Sequence, residues 1–257
     1  MSRHPTAKHL LAAALLPLFA LSPALPARAQ VIAITQAKAN AGNVTPGDTA
    51  GFPVTLSRPG RYLLTTNLTV PANKDGINIT SYDVTLDLNG FRIHGFSVAN
   101  NGIVGTWHSA TIRNGLVALF KFNGIYLGGD YHIVENMRIV GSGSWGIATG
   151  GNSTLIRGNV ISSNGNGIFA KNALIEGNVI TGNSGVGVNA VRSTVHGNNI
   201  ASNGSYAITG TPIADGRPNT TGYGNNTLVN NNGNGAQVFV GAPMHPNACG
   251  SVNPSPC

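Results

Sequence analysis

The sequence predicts an all-β solenoid, and three observations carry that prediction. A short motif of a polar or aromatic residue, a glycine and an aliphatic residue returns about every 22 residues. A second motif, Gly-Asn-Val-Ile, recurs at a fixed phase behind it. No segment of ten or more residues has helical periodicity. Composition agrees: of 257 residues 35 are Gly, 14 are Pro and 31 are Asn, and only 9% are charged. Such a chain is not a coiled coil, which needs charged Ala/Leu-rich heptads. Its glycines lack the strict period of collagen. At 41% hydrophobic it has ample material for a core, unlike a charged disordered chain.

The first motif appears as Asp75-Gly76-Ile77, Asn101-Gly102-Ile103, Asn123-Gly124-Ile125, Trp145-Gly146-Ile147 and Asn166-Gly167-Ile168. Val186-Gly187-Val188, Tyr206-Ala207-Ile208 and Asn234-Gly235-Ala236 continue it. The steps between successive copies are 26, 22, 22, 21, 20, 20 and 28 residues, with Thr211 to Tyr223 read as an inserted loop in the last. The second motif appears at Ile156–Ile161, Ile175–Ile180 and Val195–Ile200, with a weaker copy at Gly224–Val229. Each unit therefore holds two or three short strands between Gly/Asn/Ser turns. One coil cannot bury its apolar face alone, whereas stacked coils share columns of Ile, Val and Leu. Asn and Gly suit the corners because both tolerate left-handed backbone. Stacked Asn side chains can also bond to one another along the axis. The pattern lacks the L-x-x-L-x-L of leucine-rich repeats, a six-residue period and the calcium-binding nonapeptide. A right-handed parallel β-helix of about seven to eight coils remains, over residues 61–240. Residues 30–60 lack the repeat and are expected to cap its N-terminal end, where a bare first coil would be an aggregation-prone edge.

The flanks speak to compartment. Arg3, His4, Lys8 and His9, the apolar run Leu10–Ala20, and Ala27-Arg28-Ala29 form a secretory signal over residues 1–29, with cleavage expected after Ala29. Pro17, Pro23 and Pro26 interrupt a stretch already short for a retained membrane anchor. Secretion or a periplasmic location follows, with no membrane span after signal removal. The net charge falls from +7 to +4 on removing the signal, a mild excess that favours acidic glycans. No basic cluster supports a nucleic-acid partner. Cys249 and Cys257, both in the C-terminal tail 241–257, are expected to pair in an exported protein. They are too few for structural zinc. A monomer is expected.

Val84-Thr85-Leu86-Asp87-Leu88-Asn89-Gly90-Phe91-Arg92-Ile93 resembles the opening coil of many secreted bacterial right-handed β-helix repeat proteins. Ser57–Tyr62 and the G-N-V-I-x-x-N units at 158–164 and 177–183 resemble them too. These belong to the pectate-lyase-like superfamily, and the resemblance covers about Pro53 to Val240. It implies a fold but no single activity, because lyases, glycosidases, epimerases and phage spikes share it. The polygalacturonase-like signatures are absent: no adjacent Asp pair occurs, and His196-Gly197 lacks a preceding Gly. The D-P-H-H and D-P-H-E of alginate-type epimerases are absent as well. The resemblance leaves calcium as a possible cofactor, yet calcium wants six or more oxygens, and only Asp83 and Asp87 among the eight acidic residues are close in sequence. No cofactor is otherwise expected.

One corner collects chemistry over successive coils: Trp107-His108, Asp130-Tyr131-His132, Asn152, Lys171-Asn172 and Arg192. Flat aromatic faces and hydrogen-bonding groups suit sugars, and Arg or Lys suits acidic ones. In a metal-free lyase or epimerase His132 or His108 would be the base and Tyr131 the acid. Trp107, Asp130, Asn152, Lys171 and Arg192 would bind. The competing reading is a run of ordinary exposed turn residues. A second column, Arg113, Glu135, Arg157, Glu176 and His196, alternates in sign and reads as a register device. Phe120, Phe122 and Tyr126 read as core, and His94 as an isolated surface residue.

Two functions follow. One is a secreted β-helix that binds or processes a polysaccharide or cell-surface glycan along one face; as an enzyme it would be a lyase, epimerase or glycoside hydrolase. The other is a non-enzymatic structural or surface-interaction protein using the solenoid as a rigid scaffold. Few carboxylates and a single long insertion favour the second.

Overall fold

A computed structural model describes residues 30–210, 220–239 and 241–250, together with Met1. The expected leader at residues 2–29, most of the insertion after Gly210 and Cys257 lie outside the described residues. Cys249 stands on the strand Ala248–Gly250, against the core.

The repeat folds into three-sided coils. The coil that starts at Trp145 is representative: Trp145–Thr149, Thr154–Arg157 and Val160–Ser162 form its three sides. The next coil repeats this with Asn166–Lys171, Ala173–Glu176 and Val179–Thr181. The first side of every coil joins an eight-stranded parallel sheet that runs in sequence order from Val54–Leu56 to Ile208–Thr209. The second and third sides form one 17-stranded sheet, because Thr111–Ala118 and Ile133–Val140 run unbroken through the corner between them. Residues 30–60 also supply strands. Val31–Ile34 pairs with Gly60–Leu64, and Val54–Leu56 opens the eight-stranded sheet. Between them in sequence lies the short helix Gln36–Ala41, capped by the Thr35 side chain and burying Ala39. No helix among the described residues is long and apolar enough to cross a membrane.

Register makes the core. The aliphatic residue of the first motif stacks as Ile77, Ile103, Ile125, Ile147, Ile168, Val188 and Ile208, all fully buried. Leu86, Ile112, Val134, Ile156, Ile175 and Val195 line the second side. Ile93, Val117, Ile139, Ile161, Ile180 and Ile200 line the third. The glycine of the motif is steric. A methyl at Gly124 would press on Ile139 of the third side and lie 2.7 Å from the Gly146 carbonyl oxygen.

The second motif builds two buried asparagine columns. Asn159, Asn178, Asn198, Asn226 and Asn247 form one; Asn164, Asn183, Asn203 and Asn231 form the other, closed by Gln237. Asn178 is typical. Its Nδ2 donates to Asn198 Oδ1 at 3.0 Å and to the Ile156 carbonyl at 2.9 Å. Its Oδ1 accepts from Asn159 N–H at 2.9 Å and from Asn159 Nδ2 at 3.0 Å. All four valences of a buried amide are thus satisfied. The turn that aims these residues inward is left-handed, at Gly158, Gly177 and Gly197 (φ 64°, 62° and 64°), with Asn225 in the last copy.

Ser142, Thr149, Thr154 and His132 break this economy, each with a buried side-chain atom that has no partner, and His132 is the largest of them. His132 is fully buried, its Nδ1 accepting from the Ala110 N–H at 3.2 Å and its Nε2 without a partner. Burial holds its pKa below 6.5, against the opposing pull of the Gly129 backbone and Asp130. Three coils on, Ser193 Oγ accepts the Ala173 N–H in the equivalent place.

Asn178→Ala is expected to cost about 3 kcal/mol in chemical denaturation, since it strands buried donors and acceptors on both neighbouring coils. His132 titrates lower folded than unfolded, so the stability it contributes is complete above about pH 6.5 and declines as the pH falls through that value. His132→Ser should therefore shrink the difference in Tm between pH 7.5 and pH 5 relative to the wild type, whatever its absolute stability.

Candidate functional site

The corner between the eight-stranded sheet and the second side is set by a left-handed residue in each coil. Ser109, Tyr131, Ser153, Asn172 and Arg192 hold φ between 45° and 62° there. Just before them stand His108, Asp130, Asn152 and Lys171, so most of the expected site does gather on one edge across five coils. Trp107 and Tyr131 are 49% and 63% exposed. His132 does not join them. It follows Tyr131 directly but points into the core, where no polysaccharide reaches.

A hydrogen-bonded chain links the edge. Asp130 N–H donates to His108 Nδ1 at 2.9 Å. Asp130 Oδ1 accepts from Asn152 N–H at 2.6 Å and Nδ2 at 3.0 Å. Asn172 Nδ2 donates to Asn152 Oδ1 at 2.6 Å. The Asn152 backbone N–H above all holds the Asp130 carboxyl below its ordinary range, so it is anionic at neutral pH. Because His108 Nδ1 is an acceptor, the neutral ring carries its proton on Nε2 and presents a donor rather than a base. The groups of this edge are largely committed to one another, which leaves it little capacity for proton transfer. Arg192 lines an open hollow of about 500 Å³ with Leu155, Asn172, Leu174 and Thr194.

The sheet beside this edge carries side chains that sequence reasoning misplaced. Phe120 is core as expected, 1% exposed, but Phe122 and Tyr126 are 44% and 41% exposed. Tyr126 lies between inward Ile125 and Leu127, and strand alternation turns it out. Its column continues through Ala148 to Phe169. The Trp145 ring tilts over Phe169 at 5.6 Å and 51°. Lys171 Nζ lies 5.7 Å from the Phe169 ring centroid. Ala148, between Tyr126 and Phe169 in this outward column, is only 5% exposed. Farther along the same sheet Tyr206 and Phe239 pair at 5.1 Å. The legible signal was the aromatic between two aliphatics in Ile-Tyr-Leu and Ile-Phe-Ala. His94 is likewise no isolated surface residue: half-buried, it meets the Phe96 ring edge-on at 4.0 Å, and burial pushes its pKa down.

The alternating charges stand in register on the second side, and Asp87 extends them by one coil. Arg113 Nε meets Asp87 at 2.9 Å, and Arg157 Nη2 meets Glu135 at 2.7 Å. Glu176 makes no ion pair among the described residues, and His196 Nε2 lies 2.9 Å from Asn225 Nδ2. Among the described residues no three His, Cys, Asp or Glu side chains converge as metal ligands. Asp87, Glu135 and Asp130 each already have a partner, a poor fit to the oxygen shell of calcium.

The sequence profile described as "Right handed beta helix region" matches residues 94–247. A comparison with curated proteins finds no match. Among solved structures the chain is similar to pectate lyase Pel9A, with 13% identity, 87% of this chain and 77% of that chain covered, and a TM-score of 0.50. It is also similar to the A-module of the mannuronan C-5 epimerase AlgE4 of Azotobacter vinelandii, with 13% identity, 88% and 90% covered, and a TM-score of 0.49. At 13% identity the likeness to Pel9A is one of fold alone. The profile match spans more than half of the chain and coincides with its stacked three-sided coils, and the protein belongs to the right-handed β-helix family.

Proposed function

We propose that the protein binds a polysaccharide laid along the solenoid axis, across the eight-stranded sheet and its Trp107–Arg192 edge. The outward aromatic group of Tyr126, Trp145 and Phe169 carries this reading. Tyr126 and Phe169 are two coils apart, roughly 10 Å at the parallel-strand spacing, a length that spans about two sugar residues. Pyranose C–H faces stack on such rings, and the adjoining Asn152, His108 and Asp130 offer hydrogen bonds to hydroxyls. Lys171 and Arg192 favour an acidic glycan. Export through the leader at residues 1–29 would bring the protein to such polymers.

Binding without turnover is the form the geometry favours, since His132 is enclosed and His108 Nδ1 is already an acceptor. A purely structural scaffold is the competing reading. The mutual pairing of His108, Asp130, Asn152 and Asn172, which resembles the interior asparagine columns, favours it.

Affinity electrophoresis and calorimetry on alginate, polygalacturonate and neutral xylan decide between them. Tyr126→Ala and Phe169→Ala should each weaken binding about threefold to tenfold. Lys171→Gln should weaken only the acidic polymers, an effect that fades by about 0.5 M salt. Retention of none of these polymers would leave the scaffold reading. Unsaturated products followed by ultraviolet absorbance, or new reducing ends, would overturn binding without turnover.

A further inference from the structure

The corner between the third side and the eight-stranded sheet holds a ridge of exposed apolar side chains. Phe96, Val98, Leu119 and Phe122 are 56%, 49%, 37% and 44% exposed. They sit on two successive coils that are bonded together: Ser97 N–H donates to the Leu119 carbonyl at 2.7 Å, and Phe122 N–H to the Asn100 carbonyl at 2.8 Å. The 26-residue step between Gly76 and Gly102 is longer than the usual 20–22, and part of the excess is here. Phe96 and Ser97 are both left-handed (φ 52° and 62°), which makes a bulge that lifts Phe96 out of the wall. No described residue covers this ridge.

Cations flank it on both sides. Exposed Arg92 and Arg138 lie two strands apart in one column of the third side, with Leu116 between them. Exposed Lys74 and Lys121 lie on the other side, and the Lys121 ammonium is 5.2 Å from the Phe122 ring centroid. None of the four has an ion-pair partner among the described residues. The nearest carboxylate along the chain, Asp75, is occupied by the Asn101 backbone and side-chain amides at 3.0 and 2.8 Å. Asp87 and Glu135 are paired on the second side, and Asp130 lies at the other corner.

Aromatic tips ringed by four cations without ion-pair partners among the described residues, against the single neighbouring carboxylate of Asp75, match the chemistry of a bilayer surface. The rings suit the headgroup–acyl boundary and the cations suit lipid phosphates. We propose that this corner docks the protein on a membrane surface bearing anionic phospholipids, with Phe96 and Phe122 inserted and Lys74, Arg92, Lys121 and Arg138 on the headgroups. The site is distinct from the aromatic group on the sheet and does not depend on the glycan reading.

Co-sedimentation of the full chain with large unilamellar vesicles tests it. Phosphatidylcholine vesicles containing roughly 30% phosphatidylglycerol should bind at least about tenfold better than phosphatidylcholine alone, and about 0.5 M salt should abolish the difference. The Phe96→Ser/Phe122→Ser double variant should bind the anionic vesicles about tenfold or more weakly. Arg92→Gln/Lys121→Gln should lose a comparable factor on anionic vesicles only, which keeps the test sharp if the first pair disturbs folding. Val179→Ser, on the same side but off the ridge, should bind like the wild type. Equal binding by all variants would assign the adsorption to another part of the chain, such as the apolar leader, and would overturn the proposal. So would absence of binding, or a dimer in sedimentation velocity that the same variants abolish, which would make a second copy the occupant.

Discussion

The molecule depends on a buried amide finding its copy one coil away. Each interior asparagine satisfies a backbone carbonyl, a backbone N–H and two side-chain groups at once, in a place with no water to substitute. A slip of one residue would aim these groups at aliphatic neighbours and leave several unpaired. The penalty attaches to every coil from Asn159 onward, so the columns hold register with a strictness that Ile and Val stacking alone does not supply. Before Asn159 the column ends at Met137, whose N–H donates to Asn159 Oδ1. There the unbroken strands Thr111–Ala118 and Ile133–Val140, and the Asp87–Arg113 pair, do equivalent work.

Fixed register outside follows from fixed register inside. Once every coil starts at the same phase, any outward position becomes a straight column, and a property repeated by chance or selection becomes a surface. The three sides then diverge. The second collects paired charges, the first collects rings, and the third is flanked by unpaired cations. The Trp107–Arg192 edge shows the tension between scaffold and site. Its Asp130 and Asn152 make ladder bonds of the kind made by buried asparagines, yet they stand beside exposed Trp107 and Tyr131. Groups already committed to one another are rigidly held and poorly suited to moving protons.

Much of the architecture could be read from spacing. The Gly-x-aliphatic period marks the first side, and the two asparagines of G-N-V-I-x-x-N land in the two interior columns. The Arg113–His196 column aligns as its spacing implied. What failed was the choice of inside or outside near corners. Tyr131 stands outward in the corner, so strand alternation from Val134 back through Ile133 turns His132 inward, the opposite of the outward position the corner reading gave it. Phe120 and Phe122 flank a lysine in a turn, and only backbone geometry separates the buried ring from the exposed one. Aromatic character alone therefore assigned Phe122 and Tyr126 to the wrong side of the wall.

The asparagine column that reaches Asn247 has a direction. Every side chain donates toward the next coil, and at the end the buried Asn247 Nδ2 has no acceptor among the described residues. The stack is consequently asymmetric in its cohesion: an interior coil is clasped from both sides, while the last described coil is clasped from one. Because each coil touches only its neighbours, force applied along the axis would be borne serially rather than shared. Such a rod would yield turn by turn, in small steps that keep the remainder intact.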